Sequence, residues 1–405
     1  MPLHHLVGRV VTDQRIAVKL STALAFGPIG IIWAFLPIQL RFLGASFLLI
    51  SLVSFIPAVE TIVLSPVWGG ILDSTGKGTR ILVLSFLVQA VGFSLFPFLK
   101  DPAQFVFVVA LMGLFSSSFI PIFAALATET STQYGRAIGE FWAAASVGYA
   151  SATLIGGILF QFLDPIYLYV LGALYGYSGI LVVSFLTKQG LTIAKPVIRP
   201  EGYWSLLKQR NIGILCGVSI LALVSSSSFN SFFTIYLVDS LSGSRLMAGL
   251  AATATTLLGA IAFRIVGPFI DRIGRKPVFL LGAVGYAIYF ATIYFVTNSI
   301  VVTILWTLPI YPLIQASAAA LMSDCTSIAD RGKGLGILES AISLGGGIGP
   351  LIGGVIADAT QLQSVILFAF AAALGSAALS QVFLREQPRR RQSSDFRPAI
   401  PAPIK

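Results

Sequence analysis

The sequence predicts an all-α membrane protein whose twelve transmembrane helices form two pseudo-symmetric six-helix bundles. Three observations predict it. Of the 405 residues, 56% are hydrophobic and only 10% charged, against roughly a quarter charged in an ordinary soluble domain. The apolar residues gather into twelve runs of roughly twenty, each long enough to cross a hydrocarbon core about 30 Å thick. The second half of the chain also repeats the spacing of the first. A water-soluble fold of this length has too little interior to hide so much apolar surface, so lipid must replace water over most of it.

In chain order the expected spans cover residues 20–40, 47–71, 80–99, 103–126, 137–160, 165–187, 212–238, 247–270, 277–297, 300–322, 335–357 and 363–384. Charged residues, Pro and Gly punctuate them, and the short connections make each helix reverse the one before. The first nineteen residues carry Arg9, Asp13, Arg15 and Lys19 and no apolar core ending in small residues, so no cleaved signal is expected and the first helix stays in the membrane. Sidedness follows from Lys and Arg, which are retained in the cytoplasm during insertion. The N-terminus, the loops after even-numbered spans and the tail from Arg385 hold 22 of the 26 positive residues, whereas the other side has Arg41, Lys100 and Arg245. Both termini are therefore expected in the cytoplasm and the chain in the plasma membrane. The net charge of +10 then calls for no nucleic acid, and the Arg389, Arg390, Arg391 cluster suits anionic lipid head groups. Residues 1–187 and 212–385 read as the two bundles, 188–211 as a cytoplasmic linker and 386–405 as a basic tail. Cys216 and Cys325 fall at cytoplasmic helix ends, where thiols stay reduced. No metal site is expected from them or from His4 and His5.

The loop after span 2 reads Gly69-Gly70-Ile71-Leu72-Asp73-Ser74-Thr75-Gly76-Lys77. The loop after span 8 reads Gly267-Pro268-Phe269-Ile270-Asp271-Arg272-Ile273-Gly274-Arg275-Lys276. A shift of 198 lays Gly69 on Gly267, Asp73 on Asp271 and Gly76 on Gly274, and also Leu43-Gly44-Ala45-Ser46 on Leu241-Ser242-Gly243-Ser244. A shift of 197 then brings Gly139 to Gly336 and Gly156-Gly157 to Gly353-Gly354. The chain is thus a parallel duplication of six spans.

The pattern G-x-x-x-D-R-x-G-R-K, complete from Gly267 to Lys276 and weakened from Gly69 to Lys77, resembles the cytoplasmic signature of the major facilitator superfamily. Within it the chain is most similar to twelve-span drug-proton antiporters. Their fifth-helix pattern G-x-x-x-G-P-x-x-G-G is complete here only in span 11, at Gly345, Gly349, Pro350, Gly353 and Gly354; span 5 keeps Gly148, Gly156 and Gly157 but has Ala152 and Thr153 at its centre. Val109 stands where their fourth helix often has Arg. The resemblance implies a cavity lined by helices 1, 4, 7 and 10, for which Trp33, Gln39, Ser117, Asn230, Thr234, Trp306, Tyr311 and Gln315 are the solute-binding candidates. None of these helices has a charge near its middle, which disfavours a multiply charged anion. It also implies that helix 2 packs against 11 and helix 8 against 5, so Asp73 and Asp271 could face Lys333 and Arg136 at the positive ends of helices from the other half. Gly69, Asp73, Gly76, Gly267, Asp271, Arg272, Gly274, Arg275, Lys276 and Arg136 would then form a cytoplasmic gate.

Two further expectations concern intramembrane charge, which is costly and usually functional. Glu60 lies thirteen residues before Asp73, about 20 Å along the helix and so near the bilayer middle, where a carboxyl is a candidate for carrying the coupling proton. Arg264 shares a helix face with Asp271 and is expected to pair with Glu140, one turn inward from Arg136, as a second rung of the gate. The expected function is secondary active transport of a small neutral, amphipathic or weakly cationic solute by alternating access, including proton-coupled drug efflux. A sugar or organic-acid carrier of the same fold and a lipid scramblase are the alternatives. The working unit is expected to be a monomer in the bilayer, exchanging solute and protons, with no enzymatic activity and no cofactor.

Overall fold

The computed structural model describes residues 14–129, 134–188, 203–327 and 330–385. His4, His5, most of the linker and the basic tail beyond Arg385 lie outside the described residues. Among the described residues, twelve helices are long and apolar enough to span a bilayer: α1 Gln14–Phe42, α2 Phe47–Thr75, α3 Gly78–Phe98, α4 Pro102–Glu129, α5 Arg136–Phe162, α6 Ile166–Leu186, α7 Arg210–Ser240, α8 Arg245–Ile273, α9 Arg275–Phe295, α10 Ser299–Cys325, α11 Arg331–Ala359 and α12 Leu362–Phe383. A one-turn helix, Tyr203–Leu207, precedes α7 and touches it and α11. Cys216 and Cys325 are free thiols.

The neighbours of each helix repeat between the halves. α1 lies against α5 and α6, as α7 lies against α11 and α12; α3 packs on α6 as α9 packs on α12. Two crossings join the halves, α2 on α11 and α5 on α8. Glycine makes the tight contacts within a half. A Cβ placed on Gly345 would stand 2.6 Å from the Ile220 carbonyl oxygen of α7, too close for any side chain. Its counterpart Gly148 lies against the backbone of Ala23 in α1. In a membrane, where hydrophobic burial does not drive helices together, such close backbone approach is what holds a bundle.

The duplication reaches backbone detail. Ser46 caps α2 by accepting from the Leu49 amide, and Ser244, 198 positions later, caps α8 by accepting from the Met247 amide. Gly44 enters the left-handed region at φ 82°, and Ser242, at the same offset, does so at φ 52°. Gly76 and Gly274 follow α2 and α8 at φ 64° and φ 110°, conformations open to glycine, and each amide closes the last turn on the carbonyl of Leu72 or Ile270.

Three helices are interrupted within the membrane. α4 breaks at Ser117–Ser118, α7 at Ser231–Phe232 and α10 between Thr307 and Ile310. Proline explains two of the breaks: Pro121 cannot donate to the carbonyl of Ser117, nor Pro309 to that of Leu305. In α7 the cause is a serine run. The hydroxyls of Ser226, Ser227 and Ser228 turn back onto the carbonyls of Leu223 and Ser225, which loosens the ladder just before the break.

Candidate functional site

The face of the bundle carrying Lys19, Lys77, Arg136, Arg272, Arg275 and Arg331 is called the basic face below. Several hydrogen bonds join the two halves on the other side of the membrane and near its middle. Asp358, at the end of α11, accepts from the amides of Phe47 and Leu48, both at 2.8 Å, and so caps the free N-terminus of α2. At the matching place Gln161, at the end of α5, accepts from the Leu246 amide at 3.4 Å, and Arg245 donates to the Phe160 carbonyl at 3.2 Å while lying over the Phe160 ring at 4.4 Å. Deeper in, the hydroxyls of Thr153 and Thr253 meet at 2.9 Å. The offset of 197 that aligns the glycines of α5 with those of α11 also lays Phe160 and Gln161 on Ala357 and Asp358, so this lock was open to detection from the repeat. Replacing Asp358 by Ala leaves two helix-end amides without their acceptor. The expected result is faster labelling of a cysteine introduced beside Ser54, and unchanged labelling would show that the lock does not hold this face.

Glycines record where the crossing helices part. A Cβ on Gly249 would stand 2.6 Å from the Thr153 carbonyl oxygen and 2.7 Å from Gly157 Cα; on Gly354, 2.8 Å from the Phe47 oxygen; on Gly347, 2.9 Å from Ala58 Cβ. Eighteen residues, five turns, separate Gly249 from Gly267, Gly157 from Gly139 and Gly354 from Gly336, so each second glycine lies on the same helix face nearer the basic side. A Cβ on Gly267, Gly139, Gly336 or Gly69 would meet nothing within 4 Å. The halves are in contact on the far side and apart at the basic face.

Between them lies a cavity of about 580 Å³. Trp33, Ser117, Asn230, Thr234, Trp306, Tyr311 and Gln315 line it. Gln39, near the far-side end of α1 at Phe42, does not. The wall also takes residues from helices outside the expected four: Gln89 of α3, Tyr149 of α5, and Tyr286 and Tyr289 of α9. The three-residue spacing of the last two puts both on one helix face, a signal available beforehand. Among the described residues no side chain lining the cavity is charged; polar residues line it from both halves, and Ser226, Ser227, Asn230, Thr234 and Gln315 group together on the second.

Glu60 stands behind this wall, in the crevice between α2 and α4. Its Oε2 rests on Gly113, where any Cβ would collide with it, and it has no hydrogen-bond partner among the described residues. Gly113 itself lines the cavity. A second acid escaped the sequence reading: Glu339 on α11 is exposed and sits four residues before Ser343 and seven before Gly346, both cavity-lining, so it shares their face toward the basic side.

Glu140, Arg136, Arg275 and Lys276 of the expected gate each bind a partner in their own half in this conformation. Glu140 binds Lys19 at 2.8 Å and Arg136 at 2.9 Å, all within the first half. The Arg264–Glu140 rung is therefore not made: Arg264 is exposed and has no ion pair among the described residues. Register gives the reason, since stepping eleven residues along each helix from the Thr253–Thr153 pair brings Arg264 opposite Trp142, not Glu140. Arg275 pairs with Asp324 at 2.7 Å and Lys276 donates to the Gln381 carbonyl at 2.8 Å, tying α9 to α10 and α12. Arg272 is exposed. Between α10 and α11, Lys333 lies 3.4 Å from Asp330. The Ser327 hydroxyl, with Lys333 second, holds the Asp330 carboxyl below the usual carboxylate range.

Two bundles related by duplication, joined by two helix crossings and enclosing an uncharged cavity at their interface, define a secondary transporter. The model of the Major Facilitator Superfamily matches residues 19–211 and 215–405, and the chain belongs to that family. It is similar to the multi-drug resistance efflux pump PmrA homolog of Lactococcus lactis subsp. lactis, at 24% identity over 84% of this chain and 86% of that one. It is also similar to the quinolone resistance protein NorA of Staphylococcus aureus, at 22% identity over 90% and 95%. Among solved structures, the nucleoside transporter NupG matches with a TM-score of 0.80 at 15% identity over 93% of this chain and all of that one. A bacterial homolog of the human lysosomal transporter Spinster, in an inward-facing and occupied conformation, matches with a TM-score of 0.75 at 13% identity over 92% and 96%. At these identities the structural likeness concerns the fold.

Proposed function

We propose that the chain works as a monomer in the plasma membrane and exports neutral or weakly cationic amphipathic solutes in exchange for protons carried by Glu60. The observation that carries this reading is the cavity, aromatic and polar but uncharged, sealed on one side by Asp358, Gln161 and Arg245 and parted on the other. The Lys and Arg distribution supports a cytoplasmic basic face, and on that reading the conformation faces inward. A carboxyl beside the wall, without a fixed cation, is suited to trade a proton against a solute. The drug-efflux names of several relatives support the direction and the solute class. Gly69, Asp73, Gly76, Gly139, Gly267, Asp271, Gly274 and Gly336 are then the surfaces that close the cytoplasmic side when the carrier turns outward.

The test is ethidium movement in proteoliposomes under an imposed pH gradient. Saturable, gradient-dependent transport with matching proton flux is expected. Solute movement that neither saturates nor responds to the gradient would refute the carrier reading.

A further inference from the structure

The ceiling of the cavity is built where two broken helices meet. The ring of Trp306, just before the break of α10, stacks on Phe233, just after the break of α7, with centroids 4.3 Å apart and planes within 7°. Trp306 Nε1 donates to Asn230 Oδ1 at 3.1 Å. An indole N–H can only donate, so the amide atom facing it must be the oxygen, and this fixes which way the Asn230 amide is turned. Nδ2 then carries two N–H donors that have no partner among the described residues, and Asn230 lines the cavity. One turn further along, Thr234 also lines the cavity, and its buried hydroxyl has no hydrogen-bond partner among the described residues. From the first half the cavity takes the apolar side chains of Ile29, Ile32, Val53, Val109 and Met112 beside the polar ones of Ser54, Gln89 and Ser117.

We infer that Asn230 is the specificity-determining residue of the cavity and that it recognises a neutral hydrogen-bond acceptor at one end of the solute, such as a carbonyl, sulfoxide or phosphoryl oxygen. The inference rests on the carrier reading above and narrows it: the ceiling selects for an acceptor rather than for positive charge. The donors are preorganised. Trp306 holds the amide and Phe233 holds Trp306, so binding need not order a free side chain. The rest of the solute lies against the apolar side chains that the first half contributes, Ile29, Ile32, Val53, Val109 and Met112. Trp306 is a positioning residue, acting through the amide it orients.

Two probes of similar shape separate acceptor from charge: triphenylphosphine oxide, neutral with a phosphoryl acceptor, and tetraphenylphosphonium, a cation with none. Their binding to purified full-length protein in nanodiscs is measured by calorimetry. The wild type is expected to bind the oxide more tightly. Asn230→Asp keeps an oxygen for the Trp306 N–H but replaces the two donors by a carboxylate, so oxide affinity should fall at least about tenfold and phosphonium affinity rise, inverting the preference. Trp306→Phe keeps the ring on Phe233 but frees the amide, and should weaken the oxide a few-fold without favouring the phosphonium. It supplies a second reading should Asn230→Asp fold poorly. A wild type that binds the oxide no better than the phosphonium, or a ratio unmoved in both variants, overturns the inference. Gradient-driven uptake of the oxide into proteoliposomes separates the two levels: an oxide bound with the expected ratios but never moved would refute the carrier and leave the recognition intact.

Discussion

Gly267→Leu is expected to abolish transport while leaving the protein as stable as the wild type. In the present conformation a Cβ at Gly267 meets nothing within 4 Å, so the side chain has room, and replacing Gly within a helix gains up to about 1 kcal/mol of propensity. The cost falls on the other state. Eighteen residues on from the contact of Gly249 with Gly157, the antiparallel register brings Gly267 to Gly139, and eleven on from that of Gly347 with Ala58 it brings Gly336 to Gly69. If these glycines close the basic face, a leucine at 267 props it open and holds the carrier inward-facing. Gly249→Leu should do the reverse, because its Cβ would lie 2.6 Å from a carbonyl oxygen that cannot move aside. Overpacking of that kind typically costs about 1–3 kcal/mol or more. Thermal stability, proteoliposome flux and cysteine accessibility on both faces check the pair. Full flux in Gly267→Leu would remove Gly267 from the gate.

The second large effect concerns Glu60. Glu60→Gln keeps the shape of the side chain and its capacity to hydrogen bond but cannot titrate. Gradient-driven transport should fall to the level of empty liposomes, while exchange of solute against solute, which leaves the carboxyl in one state, continues. Gly113→Ala separates the position of the carboxyl from its presence. The added methyl would occupy the place of Oε2, so the carboxyl is displaced from the crevice yet still ionises. A loss of coupling of about tenfold, equivalent to about 1.4 kcal/mol, is expected with little change in solute binding. A Glu60→Gln variant that still moves protons with solute would show that the proton travels elsewhere, with Glu339 the nearest alternative on the cavity face.

How much of this could be read beforehand depended on whether the signal was periodic. The twelve spans and the duplication were legible because apolar length and a constant offset survive in any sequence that must cross lipid twelve times. Seven of the eight cavity candidates lie on the cavity wall for a related reason: polar and aromatic residues on otherwise apolar helices have few places to go. Gln39 failed because position along the helix, and not only its face, decides whether a residue reaches the cavity. The helix breaks were invisible to hydropathy, which registers side chains and not backbone hydrogen bonds. Pro121 and Pro309 would have announced two of them, and the run Ser225–Ser228 the third. The Arg264–Glu140 rung was drawn from spacing along single helices, whereas the pairing of two helices depends on their mutual register, which only a contact such as Thr153 with Thr253 supplies. Asp358 was overlooked because it reads as a loop residue until the start of α2 is seen beside it.

The glycine pairs carry a thermodynamic consequence. In passing from the inward-facing to the outward-facing state, the carrier would surrender one set of helix crossings and gain another made of the same residue type at the same register. Most of the packing free energy then cancels in the difference, and the equilibrium constant between the states stays near unity even though each set of contacts is strong. A balance of that kind responds to small weights: about 1.4 kcal/mol shifts the ratio of populations tenfold, close to the net worth of a single hydrogen bond. A ligand held equally well by both states shifts nothing, however tightly it binds. The solute and the proton therefore act as ballast, and what each must supply is a preference between two nearly level positions.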